Sequence, residues 1–285
     1  MDGSRGGPPE SPAPRSHRRR LDVLLVERGL FPSRARAQAA VLAGHVYVDG
    51  RPASKPGEMV AAGAHLEVRG DPVPYASRGG LKLAHALDVF GIDAAGRVAV
   101  DVGASTGGFT DVLLQRGARR VYAVDVGYGQ LAWRLRSDPR VTVMDRTNAR
   151  HLAPEMFPER PDLAVVDVSF ISVAKILPAL ARVLVPPGDV VSLVKPQFEA
   201  GPERVGKGGV VRDAGVHLEV MVRLAREARS QGFAVRAMTW SPVRGGAGNL
   251  EFFQWWSLDA AGGLEGPALE EEARRAVREG WERVT

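Results

Sequence analysis

The 285-residue sequence contains no cysteine. That absence rules out a disulfide framework, cysteine-ligated zinc, iron–sulfur clusters and thiol nucleophiles, and it suits a reducing, cytoplasmic setting. Long hydrophobic runs are missing too. The longest aliphatic stretches are strand-sized, well short of the about 20 residues that a membrane-spanning helix needs, so no membrane partner is expected. The first twenty residues are rich in Pro, Gly, Ser and Arg and hold no apolar segment of the kind a secretory signal requires. His17, His45, His85, His151 and His217 fall into no metal-ligand spacing, and no metal is expected.

The remaining composition describes a globular protein. Hydrophobic residues make up 45% and charged residues 25%, ordinary values for packed domains. The length suits one large domain and one small one. Net charge is +5, and its distribution is uneven: between Arg18 and Arg69 there are nine Lys/Arg against five acids. That local excess of four is most of the total, so any polyanionic partner is expected at this end of the chain.

Residues 1–17 read as a disordered basic tail, because they have too little aliphatic content to bury. A small α+β unit is expected over 18–69. Leu21, Leu24, Leu25 and Val26 recur at helical spacing up to Gly29, and Ser33 caps a second helix whose apolar face is Ala37, Ala40 and Val41. Val46-Tyr47-Val48 runs into Asp49-Gly50, a hairpin signal. The stretch 70–76 carries two prolines and reads as a stiff linker.

From Ser77 onward strands alternate with helices. After a helix around Leu81–Phe90 come Val98–Val102, Val121–Val126, Val141–Met144, Leu163–Val168 and Val190–Val194. Most are continuous aliphatic runs, as in strands buried on both faces of a parallel sheet. Ala234–Trp240 and Leu250–Trp256 would add an antiparallel pair, with Trp255 and Trp256 serving edge-strand packing. The expectation is a doubly wound α/β domain over 77–262, followed by a C-terminal helix over 263–285. Ligands belong at the carboxyl ends of its strands.

The first of those strands exits into Asp101-Val-Gly-Ala-Ser-Thr-Gly-Gly-Phe-Thr110. Gly103, Gly107 and Gly108 allow a tight turn and close approach of backbone to a ligand. The second strand ends in Asp125, placed to accept hydrogen bonds from a ribose diol, and the third ends at Asp145, near the base of the same nucleoside. Ser105 replaces the middle glycine of a dinucleotide fingerprint, which weighs against NAD. Asp167 and Lys195 each end an aliphatic strand. Burying either without a partner is costly, so both are expected to face the ligand crevice. Gly201–Gly209, with Arg204 and Lys207, reads as a mobile loop that contacts RNA phosphate.

Several of these segments carry a resemblance. Ser-Arg-Gly-Gly-Leu-Lys82, the Asp101–Asp111 glycine turn, Val-Val-Asp167-Val-Ser-Phe, Leu-Val-Lys195-Pro-Gln-Phe-Glu and Gly-Asn-Leu-Glu251 together resemble the TlyA branch of the FtsJ-like ribose 2′-O-methyltransferases. Some members of that branch are labelled hemolysin. The resemblance extends over about residues 18–258. It implies a Rossmann-like class I methyltransferase domain with a mostly parallel seven-stranded sheet, preceded by a small RNA-binding module of ribosomal-protein type. It also implies S-adenosylmethionine as cofactor, held by Asp101, Gly103, Ser105, Thr106, Gly107, Gly108, Asp125 and Asp145. Lys82, Asp167, Lys195 and Glu251 correspond to the catalytic tetrad, with Glu199 a second carboxylate that could complete it. Ribosomal RNA is the implied partner, gripped by Arg18, Arg19, Arg20, Arg34, Arg36, Arg51, Lys55, Arg204 and Lys207, and cytidine ribose is the implied target.

Transfer chemistry accounts for such a set. A ribose 2′-hydroxyl is a poor nucleophile, so it needs in-line positioning and help in losing its proton. Lys195 suits general base or substrate steering, with Lys82 as a second cation and the carboxylates orienting both. Competing readings are a base methyltransferase, a non-catalytic ribosome-assembly factor and a membrane-lytic protein.

Overall fold

Apolar residues in the amino-terminal stretch recur first at helical and then at strand spacing, and the structure, a computed structural model, follows that switch. Residues 18–31, 33–42, 44–69, 74–259 and 261–284 are described. The expected tail at 1–17 and residues 70–73 of the expected linker lie outside them. The chain divides into two compact units, Met1–Val73 and Pro74–Thr285.

In the first unit β1 (Arg18–Arg20) leads into α1 (Leu21–Glu27) and α2 (Arg34–Leu42). Short strands follow: β2 (Val46–Val48), β3 (Arg51–Pro52), β4 (Met59–Ala61) and β5 (Leu66–Val68). Leu21, Leu24 and Leu25 of α1 meet Ala37, Ala40 and Val41 of α2 over Val46 and Val60 in one core, the stripe that helical spacing predicts. Ser33 Oγ accepts from the Arg36 amide at 3.3 Å, the expected cap. β2 turns into β3 through Asp49 and Gly50, both at positive φ as in a type I′ turn. β1 is an element that the sequence reading leaves out. It pairs antiparallel with β4, yet its three arginines are all exposed, so no apolar alternation marks it as a strand.

The second unit comprises α3 (Gly79–Phe90), β6 (Val98–Val102), α4 (Gly108–Gln115), β7 (Arg120–Val124), α5 (Trp133–Arg136), β8 (Val141–Met144) and β9 (Leu163–Val166). After these come α6 (Leu177–Val183), β10 (Asp189–Val194), α7 (Pro196–Glu199), α8 (Ala214–Ser230), β11 (Ala234–Trp240), β12 (Phe252–Ser257) and α9 (Gly266–Arg283). Seven strands form one sheet in the order β11-β12-β10-β9-β6-β7-β8. β10, β9, β6, β7 and β8 are parallel, and β12 lies antiparallel between β10 and β11. This is the expected α/β domain with a mostly parallel sheet.

Trp255 and Trp256 do not sit on an edge strand: β12 is internal and β11 forms the edge. Trp256 is fully buried, and Trp255 Nε1 donates to Asp189 Oδ1 at 2.8 Å. An unbroken apolar run reads alike at an edge and inside a sheet, so neighbour order had to come from the fold.

Side chains alternate between the two faces of each strand. Val98, Val100 and Val102 of β6 join the layer built by α6, α8 and α9. Ala99 joins the layer of α3 and α4 on the other face. The same alternation sends Asp101 toward α4, where Thr110 meets it.

Candidate active site

Strand ends and one helix collect the charged residues. The β10–β12 ladder stops at Val194 opposite Phe252, so the next residue on each strand, Lys195 and Glu251, leaves the sheet at the same place. β9 stops at Val166 and Asp167 follows it, anchored by its amide to Val102 O at 2.9 Å. Lys195 Nζ lies 2.5 Å from Asp167 Oδ1 and donates to Ser169 Oγ at 2.9 Å. Lys82, on the first turn of α3, donates to Glu251 Oε2. The Lys82 and Lys195 side chains are only 11% and 12% exposed. Charges so buried need partners, and here each lysine has a carboxylate.

Glu199 is occupied elsewhere. It accepts from Ser172 Oγ and the Val173 amide, both at 2.8 Å, and from Arg223 Nη2 at 3.3 Å. Burial pushes its carboxyl up, against those hydrogen bonds. It fixes the segment after Asp167, and Glu251 is the carboxylate that meets Lys82.

A crevice of about 520 Å³ opens beside Asp167, between the glycine turn and the ends of β7 and β9. Asp125 lines it and accepts from the Ser105 amide at 2.8 Å and the Gly127 amide at 2.7 Å. Each of its oxygens keeps a lone pair for a further donor. Gly103 also lines the crevice at φ +88°, and a Cβ there would overlap the Asp167 carbonyl oxygen. Only glycine lets the turn approach β9 so closely. Ser105 itself adopts a positive φ of 46°, and its hydroxyl is 3.3 Å from Gln130 Oε1.

The other expected cofactor residues stand further back. Thr106 is exposed, while Gly107 and Gly108 are buried at the start of α4. Asp145 accepts from the Gly129 amide at 3.2 Å and from Arg136 at 3.0 Å, and Thr147 and Asn148 line the crevice in its stead. Asp101 is fully buried beneath the turn. Its Oδ2 accepts from Thr110 Oγ1 at 2.6 Å, and its Oδ1 has no hydrogen-bond partner. Burial pushes its carboxyl up to about 7; the Thr110 hydrogen bond opposes this and the Asp167 charge adds to it.

Gln130, Thr147, Asn148 and Phe170 are lining residues that sequence reasoning misses. Phe170 is 90% exposed and takes a positive φ of 64°. Its ring centroid is 4.9 Å from that of Phe198. The only signal was its place in the Val-Val-Asp-Val-Ser-Phe motif, since backbone strain is invisible in composition.

The basic residues divide into two sets. In the first unit Arg20 and Arg34 both reach the buried Asp22, at 2.9 and 3.0 Å. Gln38 Nε2 is the third donor residue, at 2.7 Å. Led by Arg20, these donors hold the Asp22 carboxyl well below the usual range against the cost of burial. Both arginine side chains stay about half-exposed, at 48% and 56%. Arg19 pairs with Glu27. Arg36 is half-buried, and Arg18, Arg51 and Lys55 are exposed. In the second unit Arg204 pairs with Glu219, and Lys207 is exposed. Among the described residues no helix is long and apolar enough to cross a membrane, and no cluster of three or more His, Asp or Glu could hold a metal ion.

Comparison with known proteins adds to this geometry. Residues 75–257 match the FtsJ-like methyltransferases and residues 19–66 match the S4 domain. The chain is 49% identical to the "Putative rRNA methyltransferase YqxC" of Bacillus subtilis, over 93% of this chain and 94% of that one. It is 48% identical to the "16S/23S rRNA (cytidine-2'-O)-methyltransferase TlyA" of Mycobacterium tuberculosis, over 93% and 99%. A solved structure, "Putative hemolysin from Streptococcus thermophilus", superposes with a TM-score of 0.73 at 44% identity, covering 94% of this chain and 98% of that one.

Proposed function

This chain belongs to the FtsJ-like methyltransferase family, and from that premise we propose that it methylates the ribose 2′-hydroxyl of cytidine in ribosomal RNA, using S-adenosylmethionine. The observation that carries the reading is the Lys195–Asp167 pair beside the crevice, with Glu251, the partner of Lys82, leaving the sheet opposite Lys195. The relative named for cytidine 2′-O-methylation supports the choice of hydroxyl and base. Such a substrate places its work in the cytoplasm.

The residues present fit the cofactor. The crevice has the size of a nucleoside site, and Asp125 keeps acceptor capacity for a ribose diol. Asp125 and Asp167 both line the crevice, and their negative charge would suit a cationic cofactor. When bound, S-adenosylmethionine supplies a methyl group on a positively charged sulfur. The chain's own part is to hold the acceptor in line and manage its proton. Lys195 Nζ is fixed by Asp167 and Ser169; as an ammonium it donates to and steers the hydroxyl oxygen, and only as the neutral amine does it take the departing proton. Lys82, held by Glu251, adds a second positive charge near the developing alkoxide. The S4 unit supplies an RNA grip through Arg18, Arg51 and Lys55, with Arg20 and Arg34 turned partly to solvent.

The test is to incubate ribosomal subunits with radiolabelled cofactor and map the label. Label on a cytidine ribose is the expected result. Label on a base, or tight NAD binding with no response to S-adenosylmethionine, would reject the reading.

A further inference from the structure

Asn249 belongs to neither lysine–carboxylate pair, yet it is fully buried. Its side-chain amide reaches a segment forty residues away in sequence. Oδ1 accepts from the Val211 amide at 2.9 Å, and Nδ2 donates to the Gly209 carbonyl at 2.8 Å. With one bond given and one taken, the amide replaces a rung of backbone ladder. The segment it holds is the glycine-rich loop, closed on itself by Gly206 N to Val210 O and Gly209 N to Gly206 O, both 3.0 Å. Lys207 lies exposed within that turn.

The backbone of Asn249 serves the other side. Its carbonyl accepts from the Gly245 amide at 2.9 Å, and Gly248 N closes the turn onto Gly245 O at 2.9 Å. Gly245 lies so near Glu251 that a Cβ there would overlap the Oε1 oxygen. One residue therefore joins the loop carrying Lys207 to the wall against which Glu251 rests.

We propose that Asn249 is a positioning residue that ties the 206–211 loop to the Lys82–Glu251 pair, so that a polyanion gripped by Lys207 is held in register with that pair. For the identity of the polyanion this rests on the function proposed above. For the linkage it rests on the six hydrogen bonds just described and the Gly245 contact. A core amide with no further role would affect folding but would not link RNA handling to Lys207.

The experiment uses the full chain with Asn249→Ala and Asn249→Asp. The aspartate keeps the acceptor for Val211 but loses the donor to Gly209, and it carries the test if the alanine variant does not fold. Amide exchange within 207–211 should quicken by roughly tenfold or more in either variant, while exchange in β6 and β10 stays as in the parent. In methylation assays KM for ribosomal RNA should rise roughly tenfold, with S-adenosylmethionine affinity within about twofold of the parent. Lys207→Ala should weaken RNA use in the parent and add nothing further in the Asn249 variant, the signature of two residues acting as a unit. Full additivity of the two substitutions, or unchanged exchange in the loop, would overturn the proposal. A parent protein that methylates no RNA would reject the proposed function instead, and loop exchange would still decide whether Asn249 is the tie.

Discussion

Lys195 keeps its ammonium group 2.5 Å from the Asp167 carboxylate, although the two residues end different strands. They meet because β9 and β10 are parallel neighbours, Val166 beside Ser192, and the Lys195 side chain reaches back from two residues beyond the level of Asp167. Replacing Lys195 by alanine should lower methyl transfer by at least ~10²-fold, the lower range for a group that handles a proton. Calorimetric affinity for S-adenosylmethionine should change little, since Asp125 and the glycine turn stay intact. Near-normal turnover would remove Lys195 from the mechanism.

Much of this could be read from residue order, and the limits have physical causes. Apolar runs located all seven sheet strands, the five parallel ones because strands buried on both faces must be aliphatic throughout. Charges at the ends of such runs exposed Asp167 and Lys195, which have no reason to be there without a partner. Glu251 and Lys82 were known only through family resemblance, because a charge on a helix or before a strand is ordinary. Pairing order was out of reach: it set β12 inside the sheet and assigned Glu251 rather than Glu199 to the lysine. Asp145 shows the same limit, since a strand end fixes a residue's level in the sheet but not the arginine that claims its side chain.

Asp101 should give stability a measurable pH signature. Its carboxyl is raised to about 7 from 3.8, so the folded chain holds that proton more tightly than the unfolded one. Its contribution is fully present below about pH 4 and is lost as pH rises through 7. His217 runs the other way: burial lowers it from 6.5 to about 4, so its contribution is present above pH 6.5 and lost as pH falls through 4. The two oppose each other in between, so the variant must be compared with its parent. Asp101→Asn keeps an acceptor for Thr110 and removes only the titration. Its Tm relative to the parent should rise between pH 5 and pH 8, and a pH-independent difference would show that Asp101 does not titrate there.

Phe170 presents a ring to solvent from a backbone region that bulky residues avoid. At the crevice, beside Phe198, that ring suits stacking on an unpaired base. Stacking is worth about 1–3 kcal/mol per base, so Phe170→Ala should raise KM for RNA by roughly 5- to 150-fold. Phe170→Trp should restore most of the loss, and cofactor affinity should hold in both. Unchanged RNA kinetics in the alanine variant would mean that the ring contacts no base.

Each unit has its own core, which lets the division of labour be tested by removal. The first unit carries an excess of four positive charges between Arg18 and Arg69 but none of the crevice residues. Each phosphate contact releases counterions, so RNA affinity should fall linearly on a log–log salt plot, with a slope of about −0.7 to −0.9 per contact. Deleting residues 1–73 should leave S-adenosylmethionine affinity intact, weaken RNA binding and flatten that slope. Point changes can separate grip from folding. Arg51 and Lys55 are exposed, so reversing both should weaken RNA binding without unfolding the unit. Arg34 is tied to the buried Asp22, so reversing it should also lower the unit's Tm. Should the deletion leave RNA affinity, salt slope and methylation unchanged, the grip lies in the catalytic unit, with Lys207 the first residue to examine.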